Sequence, residues 1–252
     1  MNYTIQAIVF IAFLFITSIP GTQAQVSLNK WQVGVNGGIF VYQGDLNPSD
    51  LGSYKTIKPA IGVYVSRILN PSFLLRTNLA VGRLYGNDAS YSSPAWRQQR
   101  NYNFTTPLVE ISELLVWNMF SNNSNELKQR FSPYVFGGLG LSFLRINRDF
   151  SKFNDHYFAR STNILNGLRA DNNHTPPGAA LVIPMGLGTE FYLTSKLSLT
   201  AETNFRYTFT DYLDGFSLGA NPDKKDFYHS HTIGLLFRFG KSNPLDCPVL
   251  KQ

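Results

Sequence analysis

His229 and His231 stand two residues apart in "YHSHTIGLLFRF" (228–239), with Ser230 between them. Histidine and serine are residue types of acid–base and nucleophilic catalysis. A lipid-modifying enzyme at a barrel rim would need its His and Ser on one face, beside a carboxylate. Successive side chains of an extended chain point to opposite faces, so Ser230 turns away from both histidines. The two histidines could begin a metal site, but no third ligand follows at a recognisable spacing. They are expected to be interfacial. His156 and His174 lie in one long connection without a partner pattern. The sequence has no phosphate-binding glycine loop, zinc motif or nucleophile elbow. No catalytic residue, cofactor, metal or small-molecule substrate is expected.

A second set of chemically capable residues recurs on one face of several alternating segments: Arg76, Glu110, Glu190, Glu202, Arg206 and Arg238. Charges of both signs directed into a narrow interior can pair. They could instead form a proton or ion path, but a closed salt-bridge network is the expected arrangement, with Glu202 and Arg206 pairing inside it.

Period-two alternation predicts eight strands to carry these residues, at 30–42, 58–69, 73–85, 103–120, 131–144, 181–193, 197–209 and 228–239. "LSLTAETNFRYTF" (197–209) is the cleanest. Leu197, Leu199, Phe205 and Phe209 share one face, Glu202 and Arg206 the other. Alternation alone does not say which face meets water. In a soluble, lipocalin-like barrel the apolar face would be the interior. The connections argue otherwise, because long and short ones alternate along the chain. Residues 43–57, 86–102, 145–180 and 210–227 are long, whereas "NPS" (70–72) and "TSK" (194–196) are tight turns. Outer-membrane barrels have short periplasmic turns and long extracellular loops. Aromatic strand ends, among them Trp31, Tyr42, Tyr85, Trp117 and Phe239, are expected to form interfacial girdles. The fold class is therefore all-β, an eight-stranded antiparallel up-and-down transmembrane barrel of OmpA-like kind. Eight strands leave an interior that side chains fill.

The first stretch, "MNYTIQAIVFIAFLFITSIPGTQA" (1–24), has an apolar run, a Pro-Gly break and a small-residue end, though no Lys or Arg near its start. That pattern predicts an exported chain with a signal peptide over 1–24; the apolar run is at the short end for a membrane anchor. The barrel is then expected over 25–239 and a periplasmic tail over 240–252. The net charge is +6, but Lys and Arg are scattered singly, so no nucleic-acid partner is expected. Cys247, the single cysteine, excludes an internal disulfide framework.

Several stretches together resemble a known family. They are "YQGDLNP" (42–48), "KPAIGVYV" (58–65), "FSPYVFGGLG" (131–140), "IPMGLGTEFYL" (183–193) and "FTDYLD" (209–214). Their order is similar to that of the DUF6089 family of Bacteroidetes outer-membrane barrels, which includes PorG-like components of the type IX secretion system. The marks are Gly44, Asp45, Asn47 and Pro48 in the first motif, and Thr210, Asp211, Tyr212 and Asp214 in the last. The resemblance implies a scaffold embedded in outer-membrane lipid. It also implies docking to a periplasmic ring of PorK and PorN type, with a role in protein secretion and gliding motility. The tail with Cys247 is the candidate docking element. The rival readings are a general OmpA-like envelope-stability or adhesion barrel and, behind it, a rim-located lipid-modifying enzyme.

Overall fold

A computed structural model describes residues 31–49, 52–120, 123, 130–221 and 225–239. Segments rich in β-branched and aromatic residues, alternating with Gly, Ser and Thr, form the strands. They are β1 (Trp31–Gln43), β2 (Lys58–Ile68), β3 (Phe73–Asn87), β4 (Asn103–Asn118), β5 (Phe131–Leu144), β6 (Asn147–Asp149), β7 (Ala179–Tyr192), β8 (Leu197–Thr208) and β9 (Phe227–Phe239). Every pairing is antiparallel. β1 pairs with β9 over its whole length, from Trp31↔Phe239 to Gln43↔Phe227. β3 pairs with β4, β5 with β7, and β7 with β8. Eight long strands therefore close on themselves, which removes exposed sheet edges. The short β6 adds to the extracellular end of β4, Asn103 facing Asp149.

The tight turns are built by their own side chains. Asn70 Oδ1 accepts from the backbone N–H of Ser72 and Phe73 at 2.9 and 2.8 Å. Thr194 Oγ1 accepts from those of Lys196 and Leu197. Both turns lie at the end taken as periplasmic.

The exterior is apolar. Ile61, Ile233, Leu139 and Leu187 are each at least 60% exposed, an arrangement that water would not tolerate over a whole cylinder. Three registered aromatic pairs ring the periplasmic end: Trp31 with Phe239, Phe73 with Trp117, and Phe131 with Phe191. This is the aromatic girdle of an outer-membrane barrel. Tyr42 is a correction to the girdle expectation, being buried inside the extracellular mouth. It shares the inward face of β1 with Gln32 and Gly34, and the parity of the strand decides its direction.

Glu113 is the acidic exception on the outer face. It sits opposite Thr77, whose Oγ1 donates to its Oε2 at 2.7 Å. A lipid-facing charge is destabilising at depth, less so for acids than for Arg or Lys. Glu113→Gln keeps an acceptor for Thr77 and is expected to raise bilayer-embedded stability by about 1 kcal/mol. Urea unfolding in vesicles measures it, and a lower midpoint would contradict the lipid-facing assignment.

The long connections fold over the extracellular mouth. They carry a short helix α1 (Trp96–Arg100) and a longer one, α2 (Thr162–Asn173). Phe40, Leu84, Tyr102, Phe104, Leu213, Phe216 and Tyr228 pack into one cluster there. Tyr102 stacks on Phe216 with ring centroids 4.3 Å apart. The loops thus form a cap whose apolar core is shared with the inward faces of the strands, through Phe40, Leu84, Phe104 and Tyr228.

Candidate functional site

All six residues of the predicted charge set point into the barrel. Ascending from the periplasmic end, Arg238 pairs with Glu190 and also donates to Ser198 Oγ. Next, Arg76 pairs with Glu202 at 2.5 Å, and the Tyr134 hydroxyl donates to the same Glu202 oxygen. The Arg76 guanidinium lies over the Tyr64 ring, 4.4 Å from its centroid. Highest, Arg206 Nε pairs with Glu110 at 2.6 Å while its Nη1 donates to Ser230 Oγ at 2.8 Å. Tyr228 donates to Glu110 as well, at 2.7 Å.

The pairs run across the lumen and not along a strand. Glu202 therefore pairs with Arg76, and Arg206 with Glu110, which corrects the expected Glu202–Arg206 pair. Four residues of a strand span about 13 Å, beyond the reach of a direct ion pair. Two voids between the charge layers, with volumes of about 20 and 10 Å3, are lined by residues of the flanking pairs. Each has room for about one water. A chain of such layers closes the lumen to diffusion.

The two family-like motifs, separated in sequence by more than 160 residues, meet in the cap. The Tyr42 hydroxyl lies 2.7 Å from both Asp214 Oδ2 and Asp226 Oδ1. A phenol carries one proton, so it donates to one carboxylate at a time. A carboxyl that keeps its proton can donate back to the phenol oxygen and satisfy the second contact. Gly44 packs against this group: a Cβ there would come within 1.9 Å of Asp226 Oδ1 and 2.1 Å of the Tyr42 hydroxyl. Asn47 Nδ2 donates to the Tyr42 carbonyl at 3.1 Å, and the Asn47 N–H donates to the Gly44 carbonyl. Asp226 Oδ2 accepts from the N–H of Leu213 at 2.9 Å, and Asp214 Oδ1 from that of Phe216 at 2.8 Å. Thr210 Oγ1 accepts from the Tyr212 N–H, and Tyr212 donates to Asp171. Pro48 is exposed and takes no part.

Burial pushes the Asp214 and Asp226 carboxyls well above the ordinary range, and neighbouring carboxylates add to it: Asp226 and Asp45 at Asp214, Asp45 at Asp226. Burial raises Asp211 to about 6. For carboxyls raised in the folded state, the sign is fixed. The folded cap holds more protons than the unfolded one, so its stability is complete below the ordinary Asp value of about 4 and declines as pH rises through the raised values. Protease cleavage of the cap is expected to accelerate as pH rises from the ordinary Asp value through about 6, where Asp211 titrates, and beyond it as the more strongly raised Asp214 and Asp226 ionise. Asp226→Asn is expected to flatten that rise. Cleavage slower at the alkaline end would contradict the assignment.

Sequence reasoning missed the second charge centre of the cap. Asp88 is fully buried and receives Arg97 at 3.0 Å and Arg100 at 2.6 Å. Both arginines also donate to the Asp45 carbonyl at 3.2 Å, which ties the first motif to α1. Asp45 Oδ2 accepts from the Asn221 N–H at 2.9 Å. Asp171 of α2 was also missed; it accepts from three successive N–H groups, of Ser217, Leu218 and Gly219. Arg148 of β6 donates to the carbonyls of Gly215, Asn172 and His174, closing the C-terminal end of α2.

His229 and His231 lie on the outer side of β9 near its extracellular end, where the segment around Gly52 and Tyr54 covers them: His231 is half-buried and His229 is buried. His231 Nδ1 is 3.0 Å from Thr203 Oγ1, and its Nε2 is 2.9 Å from the Tyr54 hydroxyl. His229 packs against Phe205. Ser230 is inside with Arg206, on the opposite face. His174 lies against the Tyr212 ring, and His156 is exposed. Among the described residues no three His, Cys, Asp or Glu side chains are placed to share a metal ion. The predicted signal peptide and the tail with Cys247 lie outside the described residues.

Among solved structures, the chain is similar to Neisserial surface protein A, at 14% identity and a TM-score of 0.46. That match covers 83% of this chain and 97% of that one. It is also similar to the outer membrane protein OprG from Pseudomonas aeruginosa, at 10% identity and a TM-score of 0.47, over 87% of this chain and 100% of that one. A third is a major outer membrane protein from Thermus thermophilus, at 13% identity and a TM-score of 0.43, over 83% and 99%. The barrel assignment rests on strand register and the two faces, not on these likenesses. No curated protein sequence matches the chain. The profile of the family described as "Domain of unknown function (DUF6089)" matches residues 7–248. Both of the motifs that converge on Tyr42 fall within that span, and the chain belongs to the DUF6089 family.

Proposed function

We propose that this chain is a non-enzymatic scaffold of the outer membrane that anchors a periplasmic ring of PorK and PorN type in the type IX secretion system. The observation that supports it best is the three-layer ion-pair lumen, which leaves the barrel a plugged anchor instead of a conduit. Family membership is consistent with this reading. In it, a signal peptide over 1–24 directs export, and the tail around Cys247 reaches the ring from the periplasmic side. The absence of catalysis is part of the proposal: His231 has both ring nitrogens engaged, and Ser230 is committed to Arg206.

Deletion of the gene tests it. Loss of type IX cargo from the medium with unchanged lipid A supports the scaffold. Normal secretion with altered lipid A would instead support a lipid-modifying enzyme. A second reading, an OmpA-like envelope-stability or adhesion barrel, is favoured by the ordered extracellular cap around Asp88 and Asp171. It predicts intact secretion with weakened attachment or envelope integrity.

A further inference from the structure

The outer surface carries a concave feature separate from both the lumen and the acidic cluster of the cap. An open groove of about 550 Å3 lies on the extracellular halves of β2, β3, β4 and β5, within the roughly 300–1,000 Å3 range of small-molecule sites. Its apolar wall includes Ile61, Val81, Val109 and Phe143, all exposed on the membrane-facing surface. Arg83 and Arg145 line its extracellular end.

These two arginines bracket a single proline. Arg83 is registered opposite Pro107 across the β3–β4 ladder. From the β5 side, the Arg145 N–H donates to the Pro107 carbonyl at 3.0 Å. Their backbones are thus two inter-strand spacings apart, about 10 Å, a separation that two long side chains can close on one anion. Both are exposed, and neither forms an ion pair among the described residues. The groove lining contains no carboxylate. Arginine on the lipid face is costly at mid-depth and close to neutral near the interface, so these positions suit the headgroup level. A guanidinium fork matches phosphate oxygens bidentately.

We propose that the groove holds one phosphorylated lipid of the outer leaflet. Its acyl chains lie against Ile61, Val81, Val109 and Phe143, and a headgroup phosphate sits between Arg83 and Arg145. The apolar wall belongs to the membrane-facing surface, and the two arginines, without an ion-pair partner among the described residues, stand only at its headgroup end; a lipid matches both. A lipid bound here is compatible with any role of the barrel, in secretion or outside it.

The full-length protein is reconstituted in phosphatidylcholine bilayers doped with diphosphoryl lipid A, extracted in mild detergent and weighed by native mass spectrometry. Wild type is expected to retain one lipid A per chain. Arg83→Gln/Arg145→Gln is expected to retain at least about tenfold less, as loss of charge-assisted bonds implies. Val109→Trp, which fills the groove and leaves both arginines, should also weaken retention. Dephosphorylated lipid A should be held no better than phosphatidylcholine. Heat-modifiable gel migration verifies that each variant is a folded barrel. Equal retention by wild type and the double variant, or equal retention of phosphorylated and dephosphorylated lipid, overturns the proposal. So does displacement of the lipid by an equal concentration of inorganic phosphate, which would mean that the acyl wall contributes nothing.

Discussion

Arg206→Met lowers the stability of the bilayer-embedded barrel by about 3–5 kcal/mol, the usual consequence of removing one partner of a buried ion pair. Glu110 is fully buried and takes its charge compensation from Arg206 Nε at 2.6 Å. Tyr228 still donates to Glu110 after the substitution, but a neutral hydroxyl does not balance a buried carboxylate. Ser230 Oγ loses its donor as well. The double variant Glu110→Gln/Arg206→Met removes both charges and is expected to recover most of the loss, because an apolar or neutral pair is often as stable as the ion pair it replaces. Urea titration in vesicles, followed by the fluorescence of Trp31 and Trp117 on the outer face, measures both. A single variant as stable as wild type would contradict the assignment of Arg206 as the charge partner of Glu110.

The second large effect is local. Asp88→Ala leaves Arg97 and Arg100 buried around an absent anion, again a change of about 3–5 kcal/mol. This loss falls on the cap and not on the barrel. Asp88 holds Arg97 and Arg100 of α1 and the Tyr102 N–H, and the two arginines reach on to the Asp45 carbonyl; these bonds lie beyond the last β3–β4 pair, Asn87 with Asn103. Trp96 packs beside both arginines, 5.0 and 4.9 Å from the guanidinium carbons. Its emission is expected to shift to the red, and protease sites in the cap to open, while the gel migration of the barrel stays that of wild type. Loss of the barrel together with the cap would show that the two are one cooperative unit.

The strands were legible because their period is a property of each segment. A residue such as Leu199 or Glu202 declares its face by parity, and the long and short connections then set which face meets lipid. Partner identity within the lumen was not legible. That Arg76 finds Glu202 depends on register and on the stagger of a closed barrel, quantities that no single strand contains. Tyr42 marks the boundary. Its parity placed it inside with Gln32, yet its position at a strand end suggested a girdle. The cap was least legible. Helix α2 has no side chain capping its N-terminal end; Asp171 holds it to a segment some fifty residues away, which passes so close to Gly167 that a Cβ there would meet the Leu218 carbonyl, and Arg148 holds its C-terminal end. The two family motifs are likewise joined only in three dimensions, where the Tyr42 hydroxyl meets Asp214. Gly44 is required by the packing of Asp226 and Tyr42, and Asp214 completes the same cluster.

The scaffold reading rests most directly on what the barrel touches in the envelope. Intact cells are treated with a membrane-permeant cross-linker, the tagged full-length chain is purified from outer membranes, and the attached peptides are read by mass spectrometry. Cross-links from the periplasmic turns and the tail to ring lipoproteins of PorK and PorN type are expected, and none from the cap. Recovery of the chain cross-linked only to peptidoglycan-associated or unrelated surface proteins, with the ring assembled normally in its absence, would contradict the scaffold reading.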